Sequence, residues 1–210
     1  MNDLPVILGI GGALALGAIS PGPSFLLVAR TAVTASRVDG LAAALGMGVG
    51  GTLLSGAALL GLHALLTAVP WMYLVLKVLG GAYLLYLGVR IWRGAAEALP
   101  LSAGPLRAGG TVLRSFGVGL ATQMSNPKTA IVYASVFTAF LPPHLTLWLG
   151  MVLALLVFAI ETSWYAVVAL ALSAAAPRAC YLRYKRWIDR AAGAVMATLG
   201  ARLLLSVRAI

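Results

Sequence analysis

Apolar residues fill this chain in long blocks, and charged residues stand between the blocks rather than within them. Leu4 to Ala29 carries no charge, and neither does Gly40 to Leu76. Apart from Lys128, the run from Ser115 to Ile160 is also free of charge. A membrane-crossing helix needs about 20 consecutive apolar residues, so these runs hold several spans rather than a single anchor. Six segments are predicted: Pro5 to Ala29, Leu41 to Leu62, Trp71 to Trp92, Ser115 to Ala139, Thr146 to Ser173 and Trp187 to Ser206. Turn signals fall between them at Ala68-Val69-Pro70, at the Pro- and Ser-containing stretch Pro100 to Pro105, at Pro142-Pro143 and at Pro177. The first block opens on Met1-Asn2-Asp3 without a basic leader and is too long for the apolar core of a signal peptide, so it reads as a retained span.

Composition agrees with the blocks. The chain is 210 residues long, 61% hydrophobic and only 10% charged, whereas a soluble domain needs roughly 25% charged residues to meet water. The expected fold class is all-α: a polytopic membrane protein of six transmembrane helices. It is read as one transporter domain over residues 1–210 with no room for a separate soluble unit. The net charge of +10 would suggest a nucleic-acid partner in a soluble protein. Here the basic residues lie in the loops, which is what membrane topology requires, so the expected partner is the lipid bilayer and not nucleic acid. Arg30 and Arg37 mark the first loop, Arg90, Arg93, Arg107 and Arg114 the third, and Arg178, Arg183, Lys185, Arg186 and Arg190 the fifth. The second and fourth loops hold no Lys or Arg, only His63 and His144 nearby. Odd loops are therefore predicted to be cytoplasmic and both termini periplasmic, in a bacterial inner membrane; Arg202 and Arg208 oppose this weakly.

The chain also divides into two halves, about 1–98 and 110–210. Gly81-Ala82, Leu87-Gly88 and Arg90 in the third segment recur at a fixed offset as Gly193-Ala194, Leu199-Gly200 and Arg202 in the sixth. Three spans per half force the halves into opposite orientations, so the expected architecture is a pair of inverted three-helix repeats. Helices 1 and 4 carry matching interruptions, Ser20-Pro21-Gly22-Pro23-Ser24 and Ser125-Asn126-Pro127-Lys128. Each proline removes a backbone donor and disfavours helical geometry in the residue before it. The freed groups are tolerated at membrane depth only against protein or a water-filled cavity. Each helix then restarts with a cap-like signal: Asn126 before Pro127, and Ser20 or Gly22 before its proline. Amides at such a start attract an anion, which makes Ser20, Pro21, Gly22, Pro23, Ser24, Asn126, Pro127 and Lys128 candidate substrate-binding residues. The bland alternative is a pair of proline kinks that only shape packing.

Lys128 and Glu161 are charges within apolar segments, each costing about 2.5–3.5 kcal/mol at the bilayer centre on insertion scales. They read either structurally, as an ion pair or with Lys128 snorkelling, or as substrate-binding groups with Glu161 also able to carry a coupling proton. Lys77 reads as a snorkelling residue, His63 as interfacial, and Tyr83, Tyr86, Trp164 and Tyr165 as packing aromatics that could line a path. Glycine runs around Gly46 to Gly51 permit close helix approach and would suit a homodimer. The single cysteine, Cys180, forms neither an internal disulfide nor a redox pair. There is no catalytic, metal-ligand or nucleotide-binding motif, so neither an enzyme nor any cofactor or metal is expected, and uphill transport would need an ion gradient.

At these residues the chain resembles the lysine exporter / homoserine–threonine resistance (LysE/RhtB) superfamily of bacterial amino-acid exporters. The likeness rests on Ser20-Pro21-Gly22-Pro23, Thr31-Ala32-Val33 with Ser36-Arg37, Ala58 to His63, Gly80 to Leu84, Asn126-Pro127-Lys128, Glu161 with Trp164, and Lys185 to Asp189. It implies proton-driven export of small neutral amino acids, threonine or homoserine first. A passive channel or facilitator is the main alternative, and a membrane enzyme or assembly protein a distant one. The superfamily often carries an acidic residue just after Pro-Gly-Pro; here it is Ser24, which shifts weight for ammonium recognition to Glu161.

Overall fold

A computed structural model of the chain describes residues 3–20, 22–68, 72–97, 111–142 and 145–206; the side chains of 62–68, 72–73 and 175–178 are outside the description. Pro21, the turn at Val69-Pro70, the stretch Pro100 to Pro105, Arg107, Pro143, His144 and Arg208 therefore lie outside the described residues, as do the side chains of His63 and Arg178. Eight helices and no strand are found among the described residues: α1 Leu4–Ile19, α2 Pro23–Thr34, α3 Arg37–Ala68, α4 Met72–Gly94, α5 Val112–Met124, α6 Pro127–Phe140, α7 Leu147–Leu172 and α8 Ala175–Leu205.

Local chemistry explains where they start. The Ser36 hydroxyl accepts the Asp39 N–H at 3.0 Å and donates back to the Asp39 carboxylate at 2.6 Å, which closes the first turn of α3. Ser115 then donates to the other Asp39 oxygen at 2.9 Å, pinning α5 to that corner. Thr111 and Thr146 cap α5 and α7 by accepting from Arg114 N and Leu149 N. The sixth predicted segment begins earlier than expected: α8 starts at Ala175, and Pro177 lies inside its first turn rather than in a separating loop. A proline there costs no helical hydrogen bond, because the first N–H groups of a helix have no intrahelical acceptor.

Helices α3, α4 and α7 are each long and apolar enough to cross a membrane, and α1 with α2, inclined by 56°, makes a fourth crossing if counted as one. The predicted fourth span divides into α5, of 13 residues, and α6, of 14, each too short to cross alone. The bundle is inverted in polarity relative to a water-soluble protein. Leu147 is 81% exposed and Leu155 69%, while Gln123 is 0%, Ser24 1% and Glu161 5% exposed. Outward leucines and inward polar groups suit a solvent that is lipid outside and a polar seam inside.

Small residues let the helices close. A methyl on Gly88 of α4 would stand 2.5 Å from the Gly193 carbonyl oxygen of α8, and one on Gly200 would stand 2.6 Å from the Gly81 carbonyl oxygen. The glycines recognised in the sequence as a repeated motif are thus the ones at which α4 and α8 touch backbone to backbone. Aliphatic and aromatic side chains around Ile10, Phe137 and Leu153 form one core, and a second surrounds Phe25, Met47 and Val168.

Candidate functional site

The two interrupted helices meet at their breaks. Helix α1 ends at Ile19 with Ser20 in an extended conformation, and α2 begins at Pro23 with Gly22 as its N-cap. Proline at the first helical position needs no donor, and the N-cap Gly22 has no side chain to cap the first-turn amides of α2. The other break differs. Asn126 caps α6, its Oδ1 accepting from Lys128 N at 3.0 Å.

A single chain of hydrogen bonds ties the breaks together. Asn126 Nδ2 donates to Ser24 Oγ at 2.8 Å, and Ser24 Oγ donates to Gln123 Oε1 at 2.6 Å. Lys128 crosses in the other direction: its Nζ donates to the carbonyl oxygens of Ser20 at 2.7 Å and Gly17 at 3.1 Å. These carbonyls end α1, where the helix dipole is negative and a cation is favoured. Lys128 is therefore neither snorkelling nor held by Glu161, and no ion pair between the two is found among the described residues. Gly22 leaves room for the lysine stem, since a methyl there would lie 3.3 Å from Lys128 Cδ.

Glu161, on α7, faces the same seam. Its Oε1 accepts from Tyr133 Oη at 2.7 Å, while Oε2 is buried without a partner. Gly51 of α3 makes this possible, because a methyl at that position would come within 2.9 Å of Tyr133 Oη and 3.2 Å of Glu161 Cγ. Gln123 Nε2 and Ser20 Oγ are likewise buried and unpartnered. Buried polar atoms are normally hydrogen-bonded, so these three make the seam a polar strip inside an apolar bundle.

Ser20, Gly22, Ser24, Asn126, Lys128 and Glu161 all line one small pocket, whose free space of about 20 Å³ holds about one water. Beside it lies a larger cavity of about 920 Å³ that shares Ser20, Gly22, Asn126 and Lys128 and adds Pro23 and Pro127. Its far wall carries Tyr83, Arg90, Lys185 and Asp189, and exposed Tyr86, Arg93 and Glu97 edge it. Of the candidate residues, all but Pro21, which is outside the described residues, thus border one of these two spaces. Sequence reading missed Gln123 and Tyr133. A carboxamide three residues before Asn126 in an uncharged run was the available signal for the first; nothing local marks Tyr133, which acts across helices.

An apolar helical bundle with two broken helices meeting at a buried polar seam is an architecture found among membrane transport proteins. The profile of the LysE type translocator family matches residues 15–207, and the chain belongs to that family. It is similar to the threonine efflux protein of Escherichia coli (strain K12), 35% identical over 189 residues that cover 90% of this chain and 92% of that protein. It is similar also to the threonine efflux protein of Salmonella typhi, 36% identical over 196 residues with coverage of 90% and 92%. A shorter likeness, 30% over 122 residues, joins 58% of the chain to 56% of the leucine efflux protein of Enterobacter sp. (strain 638). No solved structure matches the chain.

Proposed function

We propose that this protein exports small neutral amino acids, threonine or homoserine among them, from the cytoplasm in exchange for protons. The observation that carries this is the seam itself: a buried carboxylate with one free oxygen, an uncapped helix start and a half-buried ammonium, all bordering one pocket that adjoins a large cavity. A zwitterion presents the complementary charges. Its carboxylate would meet the first-turn amides of α2 and the Lys128 ammonium; its own ammonium would meet Glu161 Oε2. The names of the similar efflux proteins support amino acids as the substrate class.

The reading includes the architecture. One domain of six spans, halves about 1–98 and 110–210, places the α1/α2 and α5/α6 breaks at equivalent points of two inverted repeats. The glycine contacts support it: exchanging the halves sends Gly81 to Gly193 and Gly88 to Gly200, so the Gly88–Gly193 and Gly81–Gly200 approaches map onto one another. The protein sits in the inner membrane with both termini periplasmic. The large cavity, lined by Arg90 and Arg93, then faces the cytoplasm, and the one-water pocket is the seam before substrate enters. Glu161 exchanges an external proton for the substrate ammonium, and one half moves against the other to alternate access.

Export of labelled threonine, homoserine and competitors from preloaded cells, with and without a protonophore, tests this. Loss of uphill export with the protonophore is expected. Export that runs only downhill in both conditions would make the protein a facilitator, and export of no amino acid would end the reading.

A further inference from the structure

Arg90 enters the reading above only as a topological charge, yet its position asks for more. It lies on α4, exposed on the wall of the 920 Å³ cavity that Lys128 also lines. Lys128 is acted on electrostatically by Glu161 and Asp189 as well as by Arg90. No carboxylate is within ion-pair distance of Arg90 among the described residues. The two acids of the same cavity are otherwise disposed. Asp189 is held by Lys185 at 2.7 Å, a pair buried to 8% and 3% side-chain exposure. Glu97 is exposed at the edge, beyond the end of α4. With Arg90, Arg93, Lys128 and Lys185 against Glu97 and Asp189, the lining of this cavity carries two more positive than negative charges, an excess that suits an anionic group.

We propose that Arg90 captures the carboxylate of the amino acid on the cytoplasmic side, before the carboxylate passes to Lys128 and the start of α2. This rests on the export reading and deepens it by naming a specificity-determining residue outside the seam. The planar guanidinium fork holds a carboxylate through two parallel hydrogen bonds, which a point charge does not reproduce. Tyr83 on the same wall, and Leu26, Leu87 and Ile91 around it, provide an amphipathic surface for the rest of the substrate. The cavity is far larger than a small amino acid, so this site recognises the charge common to amino acids. Selection by side-chain size belongs to the narrow seam.

The test uses everted membrane vesicles, in which the cytoplasmic face meets the medium and substrate concentration can be varied. Labelled threonine is the probe, and the amino alcohol that lacks its carboxylate is the competitor. Arg90→Gln is expected to raise the apparent KM for threonine by about 10–100-fold, the loss of a charge-assisted pair, with Vmax within about twofold. The preference for threonine over the amino alcohol falls by the same factor. Arg114→Gln, another basic residue of the third loop that borders neither cavity, should change neither quantity. An unchanged KM in Arg90→Gln, an unchanged preference, or an equal effect of Arg114→Gln overturns the capture role. Should Arg90→Gln fail to insert, Arg90→Lys keeps the topological charge without the fork: a raised KM supports the proposal and a wild-type KM refutes it. Absence of transport by the wild-type protein would remove the export reading itself, whereas transport with an indifferent Arg90 removes only the capture role.

Discussion

Replacing Glu161 by glutamine separates the carboxylate's charge from its shape. The carboxamide keeps an oxygen where Oε1 accepts the Tyr133 hydroxyl at 2.7 Å, so that bond survives. The NH₂ group takes the place of Oε2, an atom without a hydrogen-bond partner, so no existing bond is lost there either. One neutral bond retained and none broken predicts a stability change within about 1 kcal/mol, the scale of a single hydrogen bond. Removing a charge from the apolar bundle acts in the stabilising direction, because burying it cost about 2.5–3.5 kcal/mol on insertion scales. Glu161→Gln should therefore insert and unfold like the wild type. It should nevertheless lose uphill threonine export, since an amide neither carries a proton nor offers a charge to an ammonium. In proteoliposomes with an imposed pH gradient, accumulation against the concentration gradient should fall at least 100-fold, while thermal unfolding in detergent moves by only a few degrees. Normal accumulation by the variant would show that Glu161 carries no coupling proton. A collapse in stability would show instead that the carboxylate's charge is structural.

The remaining predictions concern neighbouring positions. Tyr133→Phe removes the donor to Glu161 and leaves both carboxylate oxygens buried without partners; thermal unfolding should show a loss of about 1–3 kcal/mol. Gln123→Leu strips Ser24 of its acceptor and leaves only the Asn126 bond on that hydroxyl, so a similar loss is expected, read as a lower melting temperature with α-helical content retained. Gly88→Leu drives a side chain into the Gly193 carbonyl and the Ala197 amide, both 2.5 Å from its first carbon. It should cost about 1–3 kcal/mol or more, while Gly56→Ala, with nothing within 4 Å, should be neutral or stabilising in the same assay.

Much of this protein could be read along the chain because its solvent changes from water to lipid and back. Long uncharged blocks and basic loops announce a membrane helical protein without any tertiary contact, since the cost of a charge in hydrocarbon acts on each segment separately. The breaks were legible for a similar reason. Proline removes a donor wherever it stands, and Asn126 before Pro127 is a cap whatever lies opposite. Tertiary structure decided what the breaks face. Nothing local to Lys128 says that its ammonium reaches the carbonyls of Gly17 and Ser20, more than a hundred residues away. Two charges in an apolar chain are equally consistent with a pair and with separate partners until the helices are packed. Tyr133 joined the site only through its contact across helices, which leaves no periodic or positional trace in the chain; Gln123 is marked by its place before Asn126, but its partner Ser24 is not. The number of crossings lies between these cases, because hydropathy sees a continuous apolar run where the backbone has two half-length helices. The two cavities and the position of Arg90 on the larger one depend entirely on how the helices assemble.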